Sequence, residues 1–454
     1  MKSFDLIVIG GGSGLEVSSA AAERGLSVAV VEPGPFGGTC LNRGCIPSKM
    51  LIHSADVVES VRRAGLFGIK AEVTAIDWKA IVERVTSMVD SDALAVEQGN
   101  REAPNITVFK GSGRFIGHKA LEVGGESITA ETILVAAGTR PTVPDIDGLK
   151  DVQFITSDQA LRLSEQPRKM IVIGGGYIAA EMAHFFGALG TEVAIVEIAP
   201  RMLLQEDDDV GSRFTDIYRR KFTLLLNASA KSVRREGKQL TLDVESDGRR
   251  QTLSAGTLLV ATGRRPNTDL LDVAQTGVSV NERGFVKADK YLETEVPGIW
   301  ALGDIVGRNQ LKHNANVEAA HVAHNIFNPD QKVAVDYHAI PHAVFASPQV
   351  ASVGLTEQQA KQQDLPYVSA SYAYIDTGYG AAIEDRDGFV KVLANRETKE
   401  ILGCHILGTD ASILIQEVAN AMRMRLTVEA ITQSIYVHPA LPEVVQRAFW
   451  ALEV

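Results

Sequence analysis

Short apolar segments alternate with amphipathic ones along most of this chain, which is typical of folds in which strands and helices alternate. Phe4 to Ile9 predicts a strand, the Ala-rich stretch that ends near Arg24 predicts a helix, and Ser27 to Val31 predicts a second strand. A glycine-rich turn joins the first strand to the helix, and the second strand ends in Glu32, twenty residues after Gly12. The pattern therefore predicts a βαβ unit that binds a dinucleotide.

The turn of this first unit reads GGGSGL and ends at Leu15. Small residues at Gly10, Gly12 and Gly14 let the backbone approach a pyrophosphate at the N-terminus of the helix. Glu32 can accept hydrogen bonds from a pair of ribose hydroxyls. Leu15 stands where the usual pattern has its third glycine, so we expect the helix and the strand to pack slightly differently here.

The same arrangement repeats in the middle of the chain. A predicted strand, Lys169 to Ile173, leads into the turn Gly174 to Ala179, and a predicted helix follows from Ala180 to Leu189. The next predicted strand, Thr191 to Val196, ends in Glu197, which lies twenty-one residues after the last glycine of the turn. Two dinucleotide units predict two bound nucleotides.

The acid at the end of the second unit bears on the choice of nicotinamide nucleotide. Glu197 can accept hydrogen bonds from both ribose hydroxyls, but a carboxylate would repel a 2′-phosphate, for which an arginine is expected. This favours NAD, while the neighbouring Arg201 leaves NADP open. The acidic run from Glu206 to Asp209 predicts a solvated helix start rather than a site.

Two of the three cysteines of the chain, Cys40 and Cys45, are five residues apart. A disulfide across so short a loop gains little from loop-closure entropy, so a redox couple explains the pair better than a structural bridge does. Pro47 suits the first turn of a helix, and Met50 to Arg63 reads as helical. Both sulfur atoms would then lie at or before a helix N-terminus, which favours a thiolate.

The net charge, the number of cysteines and the start of the chain indicate which partners and which cell compartment to expect. The chain has 454 residues, a net charge of -11 and a pI near 5.5, which argues against nucleic acid or an anionic membrane as partner. Three cysteines suit a reducing compartment, and the start of the chain runs straight into a strand without room for a signal peptide, so we expect a cytoplasmic protein. We expect no metal site, because Cys404 is far from the pair and reads as a buried apolar residue.

The segment GGTCLNRGCIPSK, residues 37–49, resembles the active site of the flavin-dependent pyridine nucleotide-disulphide oxidoreductases. This family includes dihydrolipoamide dehydrogenase, glutathione reductase and mycothione reductase, and the resemblance covers essentially the full chain. It implies an α/β fold with two Rossmann-like dinucleotide-binding domains, for FAD and NAD, and a C-terminal α/β dimerisation domain. The implied division is an FAD-binding domain over 1–144, an NAD-binding domain over 145–270, a return to the FAD domain over 271–335, and dimerisation over 336–454.

The resemblance also implies the residues that contact the two nucleotides. For FAD these are Gly10, Gly12, Gly14, Glu32, Thr39, Lys49, Gly113, Gly138, Asp304 and Lys312. For NAD they are Gly174, Gly176, Tyr177, Ile178, Glu197 and Gly263. Tyr177 falls where glutathione reductase has a tyrosine over the nicotinamide pocket, whereas dihydrolipoamide dehydrogenases more often have an aliphatic residue there.

The implied catalytic residues come from both ends of the chain: Cys40, Cys45, Lys49, Glu181, His438 and Glu443. The segment that starts at His438 resembles the family signature H-P-x-x-x-E. A histidine supplies a base for a thiol near neutral pH, and a carboxylate on its far ring nitrogen fixes the tautomer. Lys49 and Glu181 match the family's ion pair beside the flavin. Because the family shares its site between subunits, the resemblance implies a homodimer.

The sequence is compatible with three functions. The leading one is NAD-dependent dihydrolipoamide dehydrogenase, which acts on a lipoyl-bearing protein or a small dithiol. The second is a mycothione-reductase-like enzyme, or another reductase of low-molecular-weight disulfides that uses NAD(P)H. The segments 311–316 and 438–445 favour a mycothione-reductase-like enzyme, and so does Tyr436, which stands in place of a second histidine. The third, a non-catalytic flavoprotein, is disfavoured because the cysteine pair, the histidine and the glutamate occur together.

Overall fold

The computed structural model describes residues 1–246 and 248–453. The N-terminal part contains β1 (Lys2–Ile9), α1 (Gly14–Ala22), β2 (Val28–Val31), α2 (Gly38–Arg43), α3 (Cys45–Arg63), α4 (Trp78–Glu102), β3 (Ile106–Phe109), β4 (Gly113–Gly117), β5 (Ala120–Val123), β6 (Glu126–Val135) and β7 (Thr139–Pro141). The middle part contains α5 (Ser157–Ala160), β8 (Lys169–Ile173), α6 (Tyr177–Ala188), β9 (Glu192–Val196), α7 (Asp208–Lys221), β10 (Thr223–Leu225), β11 (Ala228–Glu236), β12 (Gln239–Ser246), β13 (Arg249–Ala255), β14 (Thr257–Val260), β15 (Arg264–Pro266) and α8 (Thr268–Leu271). The C-terminal part contains β16 (Ile299–Ala301), α9 (Lys312–Phe327), β17 (His342–Val344), β18 (Gln349–Gly354), α10 (Glu357–Gln362), β19 (Tyr367–Ala373), α11 (Gly378–Ala382), β20 (Phe389–Asn395), β21 (Ile401–Gly408), α12 (Ala411–Arg423), α13 (Glu429–Thr432) and α14 (Pro442–Trp450).

The chain forms two compact units, each built from three separate segments. The first unit comprises Met1–Ser48, Val82–Thr142 and Gly263–Asp336, and the second comprises Lys49–Ile81, Val143–Thr262 and Tyr337–Val454. The last residue of that range lies outside the described residues, as does position 247. The four-domain division of the sequence stays a prediction.

The first unit is organised by one seven-stranded sheet with the order β3-β2-β1-β6-β5-β4, in which β16 also pairs with β6. Strands β1, β2, β3, β6 and β16 run parallel, and β4 and β5 continue the sheet antiparallel. Apolar side chains of neighbouring strands, such as Ile7, Ala29 and Ile133, are fully buried and belong to one hydrophobic core. Because β1 and β2 are parallel, the glycine turn and the acid that follow them lie at the same sheet edge.

In the part of the second unit that the structure describes, the strands form three sheets. The parallel sheet β10-β9-β8-β14 carries the repeated dinucleotide motif, and β11, β12 and β13 form an antiparallel sheet of their own. The third sheet is antiparallel with the order β17-β18-β21-β20-β19 and packs against α12 and α14. Cys404 is fully buried on β21, as the sequence predicts.

Local details differ from the sequence-based expectations at two places. Helix α3 begins at Cys45 rather than at Met50, and α6 begins at Tyr177 rather than at Ala180. The close contact between helix and strand in the first dinucleotide unit falls at Gly14, where a Cβ atom would lie 2.9 Å from a methyl carbon of Val8. Gly14 therefore takes the packing role that the usual pattern gives to the position of Leu15.

Within residues 1–246 and 248–453, the helices are too short or too polar to cross a lipid bilayer.

Candidate active site

The cysteine pair lies where two helices meet. Cys40 belongs to the short helix α2, and Cys45 is the first residue of α3. Both are thiols in this structure, with Cys40 half-buried and Cys45 exposed. The hydrogen bond to Cys45 and the burial of the side chain raise the pKa of Cys40, while the charge of Lys312 acts in the opposite direction. Two sulfur atoms in contact at a helix start can act as a dithiol/disulfide couple.

The first glycine turn is shaped around Glu32. The Oε2 atom of Glu32 accepts a hydrogen bond from Gly11 N at 2.6 Å, and its Oε1 atom accepts one from Gly34 N at 2.7 Å. Gly10 has a φ of +118°, and a Cβ atom there would lie 2.3 Å from the carbonyl oxygen of Ala136. Only glycine fits this position without displacing the backbone of the neighbouring strand end.

The segment that leads to the cysteines closes against this turn. Gly38 has a φ of +67°, and a Cβ atom on it would lie 2.8 Å from Gly12 Cα. On the other side, Ser13 accepts a hydrogen bond from Lys312 Nζ at 2.7 Å and donates one to Asn316 Oδ1 at 3.0 Å. The first residue of α9 therefore supports the turn between β1 and α1.

A second group of polar residues in the first unit surrounds Asp304. Thr139 donates a hydrogen bond to the Asp304 carboxylate at 3.0 Å, and Arg264 Nε donates to the hydroxyl of Thr139 at 2.8 Å. Burial raises the pKa of Asp304, while Arg264 and Thr139 act to lower it. A half-buried carboxylate of this kind suits hydrogen bonds from the hydroxyls of a ligand.

The predicted ion pair is present within the second unit. Lys49 Nζ lies 2.8 Å and 2.9 Å from the two carboxylate oxygens of Glu181, and it lies 4.7 Å from the ring centroid of Phe345. The backbone N–H of Phe345 also donates to Glu181 Oε1 at 3.0 Å. Glu181 is buried in α6, so the pair holds the ammonium group of Lys49 in a fixed position.

The second glycine turn repeats the geometry of the first. Gly174 has a φ of +116°, and a Cβ atom there would lie 2.4 Å from the carbonyl oxygen of Ala261. Glu197 lies beside Gly175, where a Cβ atom would be 2.8 Å from Glu197 Oε2. The Oε1 atom of Glu197 accepts a hydrogen bond from Ala199 N at 2.7 Å. The turn and the acid are thus arranged for a dinucleotide in both units.

The side chain of Arg201 is hydrogen-bonded within the turn that follows β9. Its guanidinium group donates to Asp208 Oδ1 at 2.5 Å and, at longer distances, to the carbonyl oxygens of Leu203, Leu204 and Glu206. Only 14% of the Arg201 side chain is exposed. These contacts occupy donors that a 2′-phosphate would need.

The expectation that Glu206 to Asp209 form a solvated helix start is wrong for the first two residues. Helix α7 does begin here, with Asp207 as its N-cap, but Glu206 and Asp207 are 1% and 0% exposed. Asp207 lies 2.9 Å from the buried ammonium group of Lys391. The sequence gives little sign of this, because partners such as Ser352 of Glu206 and Lys391 of Asp207 are more than a hundred residues away along the chain.

The carboxylate of Glu206 accepts three hydrogen bonds from side chains of other elements. The donors are Tyr177 Oη at 2.5 Å, His342 Nε2 at 2.7 Å and Ser352 Oγ at 2.6 Å. Burial alone would raise the pKa of Glu206. The hydrogen-bond donors outweigh burial and lower this pKa to about 2, and His342 has the largest effect among them. Glu206, His342 and Ser352 were missed by the sequence analysis, and the only local sign was the tyrosine at position 177.

His438 and Glu443 meet as their spacing predicts. Glu443 Oε1 lies 2.9 Å from His438 Nδ1, and Glu443 Oε2 accepts a hydrogen bond from Ala440 N at 3.0 Å. These two hydrogen bonds lower the pKa of Glu443, and the bond with His438 has the larger effect. The His438 side chain is 76% exposed, so its Nε2 side is accessible from outside this unit. A carboxylate on Nδ1 orients the ring for proton transfer at Nε2.

The remaining predicted residues lie on the turns and strand ends of the two units. Of the positions predicted for FAD, Gly10, Gly12, Gly14, Glu32, Thr39, Gly113, Gly138, Asp304 and Lys312 belong to the first unit, and Lys49 belongs to the second. Of those predicted for NAD, Gly174, Gly176, Tyr177, Ile178 and Glu197 belong to the second unit, and Gly263 belongs to the first. Their contacts with the nucleotides stay predictions. Within the described residues, no group of three or more His, Cys, Asp or Glu is placed to hold a metal ion.

Comparison with family models decides the family. The model described as pyridine nucleotide-disulphide oxidoreductase matches residues 4–325, and the model for the dimerisation domain of the same family matches residues 340–449. The chain belongs to the pyridine nucleotide-disulphide oxidoreductases. Its fold is the mixed α/β fold of this family, with the dinucleotide-binding part followed by the dimerisation domain.

Relatives of known activity include two kinds of pyridine nucleotide-disulphide oxidoreductase. The chain is 40% identical to the mycothione reductase of Mycobacterium tuberculosis over 465 aligned positions, which cover both chains completely. It is 36% identical to the dihydrolipoyl dehydrogenase of Chlamydia trachomatis over 452 positions, which cover 98% of this chain and 95% of the relative. The solved structure of the HOCl-induced flavoprotein disulfide reductase RclA from Escherichia coli superimposes with a TM-score of 0.87 at 28% identity, over 98% of this chain and 99% of that one.

Pyridine nucleotide-disulphide oxidoreductases of this type are FAD enzymes, and the first unit fits FAD. The close backbone packing at Gly10, which only glycine allows, keeps the turn before α1 in the shape expected for a pyrophosphate site, and Glu32 is held at the end of β2 where a ribose would bind. The side-chain oxygen of Asn314, in the first turn of α9, is buried without a hydrogen-bond partner among the described residues. Such an atom is expected to accept a hydrogen bond from a ligand. The chain is thus a flavin-dependent disulfide oxidoreductase.

Proposed function

We propose that this protein is an NAD-dependent dihydrolipoamide dehydrogenase that works as a homodimer in the cytoplasm. The observation that carries the proposal is the carboxylate of Glu197 beside Gly175, with Arg201 already tied to Asp208. A carboxylate accepts hydrogen bonds from a free ribose diol and repels a 2′-phosphate. The arrangement therefore supports NAD as the nicotinamide nucleotide.

The cysteine pair supports a dithiol as the substrate. In the oxidised enzyme Cys40 and Cys45 form a disulfide, and His438 of one subunit takes the proton of a substrate thiol at the cysteines of the other. The substrate thiolate attacks Cys40 Sγ, the Cys40–Cys45 bond breaks, and Cys45 leaves as a thiolate. FAD would be held by residues of the first unit such as Glu32 and Asp304, and it would supply the redox chemistry that links the reduced cysteines to NAD.

The second half of the exchange returns the histidine to its starting state. His438 first releases the proton of the first thiol to water, and it then takes the proton of the second substrate thiol as that thiol attacks the substrate sulfur of the mixed disulfide. Cys40 is released as a thiolate and takes this second proton from His438. The substrate dithiol is thereby oxidised by two electrons to a disulfide, and the enzyme disulfide is reduced to the dithiol. Glu443 orients the imidazole and stabilises its protonated form during both steps.

The homodimer is supported by the dimerisation domain that matches residues 340–449. It is also supported by the exposure of the segment before His438, in which Ile435 is 100% exposed and Val437 78% exposed. Apolar side chains beside a catalytic base are expected to be covered by a partner. We expect gel filtration with light scattering to give the mass of two chains.

Turnover assays test the proposal directly. The FAD-loaded enzyme is expected to form NADH from NAD and dihydrolipoamide, with NADP a poor substitute. Cys45→Ser is expected to abolish this turnover and keep the flavin, while Cys404→Ser, which removes a buried thiol outside the pair, is expected to leave it unchanged. Formation of NADPH but no NADH, or full turnover of Cys45→Ser, would contradict the proposal.

A second candidate is the reduction of a low-molecular-weight disulfide, as in mycothione reductase. The 40% identity to that enzyme over the whole chain favours it, as does Tyr436, whose hydroxyl donates to the half-buried Glu417 at 2.7 Å. Dihydrolipoamide dehydrogenases usually carry a histidine at this position. NAD(P)H oxidation by bulky thiol disulfides, without activity on dihydrolipoamide, would select this candidate.

A further inference from the structure

The turn from Leu203 to Glu206 supports the second glycine turn at two points. The backbone N–H of Leu203 donates to the carbonyl oxygen of Gly175 at 2.9 Å. The carboxylate of Glu206 accepts the hydroxyl of Tyr177, which is the first residue of α6, at 2.5 Å. One backbone bond and one charge-assisted bond thus fix both sides of the turn in which a pyrophosphate would bind.

This support is anchored in a different sheet. His342 on β17 and Ser352 on β18 donate to the two oxygens of Glu206 at 2.7 Å and 2.6 Å. The ring of His342 also stacks on that of Tyr177, with centroids 5.7 Å apart and an angle of 19° between the planes. The nucleotide turn of the parallel sheet is therefore held against the antiparallel sheet through one buried carboxylate.

From this geometry we infer that Glu206 is a positioning residue for the nicotinamide nucleotide, because it holds the turn Gly174 to Tyr177 in its binding conformation. The inference rests on the proposed function in that the nucleotide binds at this turn. A turn that is already ordered loses less conformational freedom when a ligand binds, so its binding is tighter. Without Glu206, the start of α6 would have to be ordered by the nucleotide itself.

Asp207 provides a matched control, since it is the next residue, is equally buried and has the same chemistry. It accepts hydrogen bonds from Lys391 Nζ and from the backbone N–H of Glu357, and not from the nucleotide turn. Asp207→Asn and Glu206→Gln are the same change of a buried carboxylate to an amide at adjacent positions. Both are expected to lower the melting temperature, and only Glu206→Gln is expected to weaken nucleotide binding.

The test is calorimetric titration of the FAD-loaded enzyme with NAD⁺ and with ADP-ribose, which carries the pyrophosphate but no nicotinamide. We expect the Kd of both ligands to rise about tenfold in Glu206→Gln and about threefold in Tyr177→Phe, as the loss of a buried hydrogen bond implies. The double variant is expected to show less than the product of the two effects, because both act through one bond.

The outcomes separate this inference from the proposed function. If wild type binds only NADP⁺, the coenzyme assignment fails, and the same titrations proceed with NADP⁺ and its ADP-ribose 2′-phosphate. Should wild type bind neither, both ideas fall. If Glu206→Gln and Tyr177→Phe bind ADP-ribose as wild type does, or if Asp207→Asn weakens binding equally, the inference is overturned. Where Glu206→Gln does not fold, Tyr177→Phe alone decides.

Discussion

In the turn after β1, a Cβ atom on Gly10 would lie 2.3 Å from a carbonyl oxygen, and in the turn after β8 a Cβ atom on Gly174 would lie 2.4 Å from the equivalent one. The two turns differ at Gly12 and Gly176, the last residues of their runs of three consecutive glycines. Gly12 is met by Gly38 of the segment that leads to the cysteines, whereas a Cβ atom on Gly176 would meet no atom within 4 Å in the described residues. The first turn is closed, as suits a cofactor that stays bound, and the second is open, as suits a nucleotide that is exchanged.

The residues that support the two turns differ as well. Ser13 of the first turn is held by Lys312 and Asn316 at the start of α9. The second turn is held through Tyr177 by the buried carboxylate of Glu206. Two units with the same motif thus achieve similar turn geometry with a cation in one case and an anion in the other. The motif alone fixes the backbone, and each unit adds its own support.

The largest expected effect comes from alanine at the first glycine of each turn. Gly10→Ala and Gly174→Ala both place a Cβ atom against a backbone carbonyl at positive φ, which costs several kcal/mol of strain if the turn is to keep its shape. We expect Gly10→Ala to be purified without flavin. We expect Gly174→Ala to keep the flavin and to lose binding of ADP-ribose.

Flavin absorbance per chain and calorimetric titration measure the two outcomes separately. Gly176→Ala is the control, because its Cβ atom would meet open space. It is expected to load FAD as wild type does. Loss of flavin from both Gly10→Ala and Gly174→Ala would mean that the two turns do not serve different nucleotides.

A second effect concerns acid stability. The pKa of Glu206 is lowered from 4.5 to about 2 in the folded protein. Because the folded pKa is depressed, this carboxylate stabilises the fold above pH 4.5, and the stabilisation is lost as the pH falls from 4.5 towards 2. The depression corresponds to about 3 kcal/mol of unfolding free energy at neutral pH.

Melting temperatures across this pH range test the second effect. The difference between wild type and Glu206→Gln is expected to be largest at neutral pH and to shrink as the pH is lowered below 4.5. Ser13→Ala, which removes a neutral hydroxyl from the support of the first turn, is expected to shift the melting temperature by a similar amount at each pH. A difference for Glu206→Gln that does not change with pH would contradict the depressed pKa.

Local spacing predicted the parts of the site whose partners are close in sequence or belong to a repeated motif. The two glycine turns, the acids Glu32 and Glu197, and the pair His438 and Glu443 could be identified because each depends on a strand end or a five-residue step. The cysteine pair could be identified for the same reason, although α3 begins five residues earlier than its apolar pattern indicates.

The parts that sequence analysis missed depend on distant partners. An acidic run before a helix is typical of a solvated N-terminus, and only the fold brings His342, Ser352 and Lys391 against Glu206 and Asp207. Arg201 is a related case, because its position after Glu197 fits a phosphate ligand. Its guanidinium group is instead held by Asp208 and by backbone carbonyl oxygens, and no local sequence pattern predicts these contacts.

The smallest expected effect is on coenzyme choice, and it distinguishes the acids of the two units. Both carboxylate oxygens of Glu32 accept backbone N–H groups, whereas Glu197 Oε2 faces the bare Gly175. Glu197→Gln is therefore expected to keep the turn intact and to lower the preference for NAD over NADP about tenfold, or ~1.4 kcal/mol, since the repulsion of a 2′-phosphate is removed. The ratio of kcat/KM values for the two nucleotides measures this.

Arg201→Lys completes the experiment on coenzyme choice. If the guanidinium group bound a 2′-phosphate, its replacement would weaken NADP binding and raise the preference for NAD. Since the group is tied to Asp208 and to carbonyl oxygens of its own turn, we expect an unchanged preference and a lower melting temperature. A raised preference for NAD in Arg201→Lys would mean that this arginine leaves its turn to meet the nucleotide, and that the carboxylate of Glu197 does not decide the choice alone.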